Sequence, residues 1–333
     1  MQFLRKLLYY LVIGVGTVVT LLSLLSLIYD VSYWYTKVVD FPRVQYLIVG
    51  AISLLLFLLL NRRWNVPTVA FILGLLATIT IQAFAVLPYL IGPKQVPDAK
   101  VGDVTPDNTA SLMLANVLVT NRQADALLEI VQARDPDLLL VMENDQWWAE
   151  RLAPLRERYP HTIEYPAGNG YGMSLYSKLA LADERTLFFN QDSVPAFRVR
   201  VTLPDGSPFI LYAMHPVAPV PSKQYPDNQG EKEVAFEKLA DRLANDSLPV
   251  MVAGDFNDVT WSRTARLFQH RSQLNNVRLG RGLYNTFDAT SCCMRWPLDH
   301  YFVSPGFALV ELARLPAFGS DHFPMYARFT LTE

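Results

Sequence analysis

The chain of 333 residues is long enough for one large domain with an additional module, or for two domains. Hydrophobic residues make up 51% of it and the formal net charge is −2, but both are unevenly distributed. Residues 1–97 hold seven Lys or Arg and two Asp or Glu, which leaves 22 of the 29 basic and 29 of the 31 acidic residues in the remainder. Residues 98–333 therefore contain seven more acidic than basic residues. Proteins that bind long nucleic acid through its phosphates usually have a basic surface, which this composition does not suggest.

Three long apolar stretches come first, at about Leu7–Tyr29, Val44–Leu60 and Val66–Ile91. A helix needs roughly 20 apolar residues to cross the hydrocarbon core, with about 17 near the lower limit. The first stretch is too long for a cleaved signal peptide, and two more follow it. We therefore expect residues 1–91 to form a membrane domain with three transmembrane helices. Gln82, a strongly polar residue inside the third stretch, is expected to form a hydrogen bond between helices.

The Lys and Arg residues of the short loops predict the orientation of these helices. Arg5 and Lys6 precede the first span, and Arg62 and Arg63 lie in the turn between the second and third spans. The loop between the first two spans carries as many acidic as basic residues. The positive ends are expected in the cytoplasm, so three crossings place everything after Ile91 on the far side, in the periplasm or outside the cell.

The two cysteines, Cys292 and Cys293, are adjacent. A disulfide framework needs separated partners, so none is expected, and a bond between neighbours would have to adopt an unfavourable geometry. The pattern favours two small buried side chains. Cysteine content therefore does not indicate a redox compartment.

The sequence after the third span predicts a linker followed by a layered α/β domain. Residues 92–110 are rich in Pro, Gly and Asp and have no apolar periodicity, which is typical of a linker. Strands mixed with helices across residues 111–333 predict helices packed on sheets. The predicted strands are Leu112–Val119, Leu138–Glu143, Gly172–Ser177, Ala196–Thr202, Phe209–His215, Val250–Gly254, Leu298–Ser304 and Met325–Leu331. The predicted helices are Ala124–Ala133, Trp147–Tyr159, Gly230–Ala244 and Ser262–Leu267.

Polar residues lie at the ends of five of these apolar strands. Glu143, His215 and Asp255 each follow directly on an apolar run. Asp299 opens one strand, and Asp321 with its neighbour His322 lies just before the last one. A single acidic residue at a strand end is more often a turn former than a ligand. Five such placements in one domain favour a functional site.

The same segments carry motifs that resemble those of the endonuclease/exonuclease/phosphatase superfamily. In chain order they are LANVLVTN at Leu114–Asn121, LLLVMEN at Leu138–Asn144, GMSLYSK at Gly172–Lys178, YAMHP at Tyr212–Pro216, VAGDFND at Val252–Asp258, LDHYFVS at Leu298–Ser304 and GSDHFP at Gly319–Pro324. The most similar members are bacterial membrane-bound proteins with a hydrophobic amino-terminal region. The resemblance implies a four-layer α/β/β/α sandwich of two packed mixed sheets, and a location in the bacterial inner membrane.

The resemblance also implies a divalent-metal site that serves phosphoester hydrolysis. Glu143 is the first expected ligand, Asn116 supplies a neutral oxygen or orients Glu143, and Asp321 is a further carboxylate. Mg²⁺ (or Mn²⁺) suits such a set, because these hard ions bind carboxylates, waters and substrate phosphate oxygens. The metal would neutralise phosphate charge in the transition state.

The remaining motif residues are expected to act on water and phosphate. Asp255 would position or deprotonate the attacking water, and Asn257 would hold that water or a phosphoryl oxygen. His322 and His215 would donate to phosphate oxygens from opposite sides. Asp299 would hold His322 in the correct tautomer and charge state. The neighbouring His300 is expected to be structural.

The predicted activity is that of a membrane-anchored phosphodiesterase or phosphatase acting on a lipid-linked or small phosphoester. A membrane-bound nuclease acting on nucleic acid remains open, because a fold alone does not fix the substrate. A non-catalytic scaffold is the third alternative. It is disfavoured because such a relative should have lost at least one of Glu143, Asp255, Asn257, Asp321 and His322, and all are present.

Overall fold

The computed structural model describes residues 2–28, 33–221 and 230–332. The chain divides into two compact units, Met1–Gly92 and Pro93–Glu333. This division separates the apolar amino-terminal stretches from the segment in which all the functional motifs lie.

The first unit is helical. It contains α1 (Gln2–Leu25), the short α2 (Trp34–Val38), α3 (Arg43–Leu60) and α4 (Val66–Ile91). Helices α1, α3 and α4 are long and apolar enough to cross a membrane, and they correspond to the three predicted spans. Helix α1 begins five residues before the predicted start, and Tyr29, the predicted end of the first span, lies outside the described residues.

A buried polar cluster links these helices. The Arg43 side chain, only 2% exposed, donates from Nη1 to Gln82 Oε1 (3.1 Å) in α4. Its Nη2 donates to Asp40 Oδ1 (2.6 Å) and to the carbonyl of Ser26 (3.1 Å). The predicted helix–helix hydrogen bond of Gln82 is therefore confirmed, and its partner is a charged residue at the start of α3.

In the residues that the structure describes, the second unit combines twelve strands with four α-helices. The strands are β1 (Thr109–Asn116), β2 (Leu138–Met142), β3 (His161–Tyr165), β4 (Met173–Ser177), β5 (Ala180–Leu187), β6 (Ala196–Thr202), β7 (Pro208–Ala213), β8 (Val250–Asp255), β9 (Asn275–Asn276), β10 (Asp299–Val303), β11 (Phe307–Arg314) and β12 (Met325–Leu331). The helices are α5 (Ala124–Arg134), α6 (Gln146–Leu152), α7 (Glu231–Leu243) and α8 (Arg263–Ser272).

These strands form two mixed six-stranded sheets, in the orders β11-β12-β1-β2-β4-β3 and β5-β6-β7-β8-β10-β9. Successive residues of a strand point to opposite faces of the sheet. Leu112 and Leu140 therefore face the second sheet, where they meet Val199 and Tyr301 in one apolar core. The outer face of the first sheet packs on α5 and α6, and that of the second sheet packs on α7 and α8. The predicted four-layer α/β/β/α sandwich is confirmed.

A short part of the expected linker, around Val96, packs on the rest of the second unit. Val96 is 1% exposed and belongs to the apolar core between the sheets. The backbone N–H of Ala99 donates to the carbonyl of Leu309, and the N–H of Leu309 donates to the carbonyl of Pro97. This segment therefore extends the edge of the first sheet. A single buried valine among Pro, Gly and Asp residues gives no periodicity from which the packing could be predicted.

Several predicted elements have different boundaries. The predicted helix Trp147–Tyr159 ends at Leu152 and continues as a 3₁₀ turn, Ala153–Glu157, because Pro154 lacks the N–H that an α-helix needs. Strands β3, β5, β9 and β11 were not predicted. All residues of β3 and β5 are exposed or half-buried, β9 has only two residues, and β11 is buried only at Phe307–Leu309, so none of the four gives a strong alternating pattern.

Candidate functional site

The motif residues meet at one edge of the sandwich, because the strands that carry them end or begin there. In the first sheet, Asn116 ends β1 and Glu143 follows β2, and these two strands are parallel. In the second sheet, Asp255 ends β8 and is paired with Asp299 at the start of the antiparallel β10. His215 follows β7, which is parallel to β8. Both sheets therefore contribute polar side chains to the same place.

The approach of β8 to the segment after β7 requires glycine. Gly254 has a φ of +143°, and a Cβ at this position would lie 1.9 Å from the carbonyl oxygen of Met214. No other residue fits without displacing this backbone. Gly254 therefore helps to place the following Asp255 beside the chain that carries His215.

The Asn116 side chain connects the two sheets at the site. Its Nδ2 donates to Glu143 Oε1 (2.8 Å) and to Asp255 Oδ2 (3.0 Å), while its Oδ1 accepts from the N–H of Leu118 (3.0 Å). Both ends of the amide are therefore engaged by the protein. Of the two roles expected for Asn116, this geometry favours the orientation of Glu143 over direct metal ligation.

A histidine lies between two buried carboxylates. His322 Nδ1 is 2.9 Å from Asp299 Oδ2, and its Nε2 is 3.5 Å from Asp255 Oδ2. Burial alone would lower the pKa of His322, but the charges of Asp299 and Asp255 and the Asp299 hydrogen bond outweigh it and raise the pKa to about 10. Burial opposes the ionisation of Asp299, yet the charge and hydrogen bond of His322 keep its pKa below the usual value. The pair is therefore an imidazolium–carboxylate at neutral pH.

The other carboxylates of the site resist ionisation. Burial raises the pKa of Asp255 to about 7, although His322 and the N–H of Asn257 (2.7 Å to Oδ1) partly counteract this. Burial also raises the pKa values of Glu143 and Asp321, and the negative charge of Asp321 adds to the shift of Glu143. Carboxylates that crowd one another in a low-dielectric place are stabilised by a cation.

His215 is buried beside these carboxylates. Its Nε2 lies 3.9 Å from Glu143 Oε1 and 3.7 Å from Asp255 Oδ2, and neither ring nitrogen hydrogen-bonds to any described residue. Burial lowers the pKa of His215 to about 3, so the imidazole is neutral at physiological pH. A buried nitrogen without a partner is costly, and a bound ligand, ion or water would satisfy it.

Two groups of three side chains bring potential ligand atoms within 4.8 Å of one another. They are Glu143, His215 and Asp255, and Asp255, Asp299 and His322. The second group is already occupied by the His322–Asp299 ion pair, and a protonated imidazole cannot ligate a metal. The first offers two carboxylates and a nitrogen without a partner, so a hard divalent cation fits beside Glu143. His215 was assigned to phosphate binding from the sequence, and its proximity to this cluster was not foreseen.

Asp321 and Asn257 lie at the margins of this cluster. Asp321 is half-buried, and its carbonyl accepts from the N–H of Ala289 (2.7 Å). Asn257 adopts a φ of +50°, and its Nδ2 donates to the carbonyl of Pro216 (3.0 Å). Glu143 also has a positive φ, of +61°. Such backbone strain in residues other than glycine is concentrated at functional sites.

His300 is part of the support of the site. Its Nε2 contacts the carbonyl of Asp258 (2.8 Å) and its Nδ1 lies 3.0 Å from Arg278 Nη1, so both nitrogens are engaged away from the carboxylate cluster. This agrees with the structural role expected for it. Lys232 forms a buried ion pair with Asp258 (2.8 Å) and donates to the carbonyl of Asn257 (3.3 Å). Lys232 was missed, because it lies in α7 among charged residues with no motif around it.

The expectation that the two cysteines are buried was wrong. Cys292 and Cys293 are exposed, with their Sγ atoms 3.0 Å apart. They lie in a polar loop before β10, where Ser291 Oγ accepts from the N–H groups of Cys293 and Met294. Because this loop does not pack on the apolar core, the two side chains are not buried.

The family can be stated from comparison with known proteins. The profile of the Endonuclease/Exonuclease/phosphatase family matches residues 113–322, a span that contains every site residue named above. The chain belongs to this family. Its members are generally hydrolases that act on phosphoesters and generally use divalent metal ions.

Similar proteins are found among both sequences and solved structures. A UPF0294 protein of Vibrio cholerae is 25% identical over 295 residues, which cover 81% of this chain and 99% of that protein. D. rerio TDP2 complexed with a single-strand DNA product is 17% identical, with a TM-score of 0.56 over 67% of this chain and 100% of that chain. The catalytic domain of human Nocturnin with a bound sulfate anion is 18% identical, with a TM-score of 0.54 over 68% and 94%. The mannosyl-6-phosphatase Bt3783 of Bacteroides thetaiotaomicron is 17% identical, with a TM-score of 0.50 over 67% and 100%. These structures share the fold.

The raised pKa values predict that metal affinity depends on pH. Protons compete with a cation for Asp255 (pKa about 7), Glu143 and Asp321, so affinity should rise as the pH increases through about 7 and fall below it. Each proton that the ion must displace weakens binding about tenfold per pH unit below the pKa. Millimolar Mn²⁺ or Mg²⁺ should therefore raise the melting temperature of the purified protein clearly at pH 8 and much less at pH 5.5.

The control for this experiment is Asp255→Asn, which should flatten the dependence between pH 6 and 8. His322 and His215, with pKa values of about 10 and about 3, do not titrate in this range. A melting temperature that ignores both ions at pH 8, compared with NaCl of equal ionic strength, would contradict the metal site.

Proposed function

We propose that this protein is a membrane-anchored, divalent-metal-dependent phosphoester hydrolase, a phosphodiesterase or phosphatase that directs a water at phosphorus. The observation that carries the proposal is the convergence of Asn116, Glu143, Asp255 and the His322–Asp299 ion pair at one edge of the two sheets. This arrangement combines closely spaced carboxylates that can bind a cation with a fixed positive group that can bind a phosphate. A cluster with only a structural role would need neither the carboxylates nor the positive group.

The cation would be held by Glu143, with Asp321 as a further carboxylate, and Mg²⁺ or Mn²⁺ fits these oxygen donors. When bound it supplies positive charge that neutralises the phosphoryl oxygens and withdraws electrons from phosphorus. Asn116 keeps Glu143 directed to this place through its amide hydrogen bond.

Asp255 is the group that positions the attacking water and accepts its proton. A pKa of about 7 is close to the pH at which a general base is most effective. The Asn257 N–H fixes one oxygen of this carboxylate, so the other oxygen, which faces His322 and Asn116, remains directed into the site. Asn257 would steady the same water through its side-chain carbonyl, which accepts from the water, or a phosphoryl oxygen through the second N–H of its amide.

The two histidines would act on the phosphate in different ways. His322 is held as an imidazolium by Asp299, so its Nε2–H can donate to a phosphoryl oxygen on which charge develops. His215 is neutral, so it can donate from only one ring nitrogen, and its tautomer is set by its ligand. Together they would hold the phosphate from opposite sides while Asp255 faces phosphorus.

Membrane attachment would place this site close to a lipid surface. Three helices are able to span a bilayer, and only four residues separate the end of α4 at Ile91 from the buried Val96. We place the amino terminus in the cytoplasm and the catalytic unit outside the bacterial inner membrane, on the strength of Arg5, Lys6 and the Arg62–Arg63 pair.

A short attachment and an acidic catalytic unit favour a lipid-linked or small phosphoester as the substrate. Long nucleic acid is normally bound through several Lys or Arg contacts to phosphates, and the residues after position 97 contain more acidic than basic side chains. Proteins with this fold include one crystallised with a DNA product and one named for a sugar phosphate. The fold therefore accommodates both classes, and the substrate has to be tested directly.

The first prediction of the proposal concerns catalysis. Glu143→Gln and Asp255→Asn keep the shape of each side chain and remove its charge, so each should abolish metal-dependent hydrolysis, with losses of about 10²-fold or more. The double variant should be little worse than either single variant, because the two residues act as one unit. Activity of the purified variants is measured with Mg²⁺ and Mn²⁺.

Glu157→Gln and Asp241→Asn provide the matched controls, since both carboxylates are exposed and outside the site. They should retain full activity. If either site variant keeps more than about a tenth of the wild-type rate, the assigned roles are incorrect.

The second prediction concerns the substrate. The purified protein in neutral detergent should hydrolyse phosphoesters from a panel of phospholipids, isoprenoid phosphates and sugar phosphates, and it should cleave plasmid or single-stranded DNA poorly. Any DNA cleavage should fall steeply between 50 and 200 mM salt, because weak electrostatic contacts are screened. Glu143→Gln serves as the blank for contaminating nucleases. Robust, salt-insensitive DNA cleavage without turnover of any lipid phosphate would favour nucleic acid over a lipid-linked or small phosphoester as the substrate.

The third prediction concerns topology. A reporter that is active only in the periplasm should be active when fused after Glu333 and inactive when inserted at residues 61–65. A cytoplasmic reporter at the same two positions should give the opposite result and serves as the control. The reverse pattern would place the catalytic unit in the cytoplasm.

A further inference from the structure

A cavity of about 850 Å³ opens at the end of the helical unit where α1 begins, α3 ends and α4 begins. It lies wholly within the amino-terminal unit. The cavity contains none of the residues to which a catalytic role is assigned. Its lining combines exposed cations with more buried aromatic and aliphatic side chains, and this combination indicates what could occupy it.

Four cations line the outer part of the cavity. Arg5 and Lys6 come from the first turns of α1, and Arg62 and Arg63 come from the connection between α3 and α4; all four side chains are exposed. Among the described residues that line the cavity, none is acidic. The amino-terminal ends of α1 and α4 add partial positive charge at the same end. The cavity is thus suited to an anion.

The inner part of the cavity is apolar and aromatic. Phe57, which is 1% exposed, packs against Phe71 with ring centroids 4.7 Å apart and stacks on Tyr9 at 5.6 Å. Ile13 and Leu60 complete this inner lining. A free inorganic anion would make no use of such a surface, whereas an amphiphile would cover it.

We propose that this cavity is a binding site for the headgroup of an anionic phospholipid. The phosphate would lie among Arg5, Lys6, Arg62 and Arg63, and the first carbons of the acyl chains would lie against Ile13 and Phe71. Basic pockets between transmembrane helices bind anionic headgroups by this combination of charge and apolar contact. The site is separate from the carboxylate cluster, and it does not depend on the proposed reaction.

The neighbouring residues support a location at the headgroup level. Trp64, in the same connection, is 69% exposed, and Tyr10 of α1 is 68% exposed. Exposed Trp and Tyr residues at the ends of membrane helices occupy the bilayer interface. The Arg5 side chain also donates to the carbonyl of Leu60 (2.8 Å), so one of the four cations is held in place at the end of α3.

Thermal unfolding of the full-length protein in neutral detergent tests this proposal. Dioleoylphosphatidylglycerol should raise the melting temperature in a saturable way, and dioleoylphosphatidylcholine at the same concentrations should not. Because each basic residue near an anionic surface contributes measurably to binding, Arg62→Gln with Arg63→Gln should weaken the apparent affinity about tenfold or more. Inorganic phosphate is titrated separately to distinguish a free anion from a lipid.

Two controls isolate charge and position. Arg62→Lys with Arg63→Lys keeps both charges and should bind phosphatidylglycerol nearly as well as the wild type. Lys37→Gln removes a cation from α2, between the end of α1 and the start of α3, and should have no effect. If the double Gln variant does not fold, Lys6→Gln provides the same test and should weaken binding severalfold.

Three results would overturn the proposal. Equal stabilisation by phosphatidylcholine would show that the charge of the headgroup is not recognised. Protection by millimolar phosphate as strong as that by phosphatidylglycerol would identify a free-anion site. Affinity of a folded Gln variant within about twofold of the wild type would show that these cations do not form the site.

Discussion

The hydrogen bonds from the Asn116 amide to Glu143 and Asp255 determine the spacing on which the rest of the site depends. Glu143 follows a strand of one sheet and Asp255 ends a strand of the other, so one neutral side chain links carboxylates carried by separate layers. Asp255 is fully buried, and a carboxylate there would be prohibitively costly without donors. Asn116 therefore makes the close approach of two acidic groups tolerable.

Charge balance explains why this site suits both a cation and a phosphate. His322 contributes one positive charge between Asp299 and Asp255, and Glu143 and Asp321 add further acidic groups whose pKa values are raised by burial. The ionised site has an excess of negative charge that would repel a phosphoester. A divalent cation removes this excess and leaves the imidazolium free to face the phosphate. The burial that raises the carboxyl pKa values is therefore also the feature that favours a cation at this site.

Local patterns predicted a layered α/β domain with polar residues at the strand ends, and the resemblance of the motifs to the family implied the four-layer sandwich. Asp255 and Glu143 directly follow strongly apolar strands, so one short stretch of sequence predicts both the strand and the polar residue at its end. Lys232 and Val96 were missed for the opposite reason: each acts through contacts with residues distant in sequence, Asp258 in one case and the core between the sheets in the other. The exposed cysteine pair was also misassigned, since residue type suggested burial while the surrounding turn excluded it.

The two ends of the helical unit differ in how their positive charges are balanced. Near the start of α3, Arg43 is buried, and its charge is matched by Asp40 and by the Gln82 carbonyl oxygen, because an unmatched charge among apolar helices is very costly. At the other end, four cations surround an open cavity that no acidic residue lines among those described. Positive charge that the protein itself does not balance is stable only at an interface that supplies water or anions. The helices thus combine one end whose buried charge is balanced within the protein with one end whose exposed cations face outward.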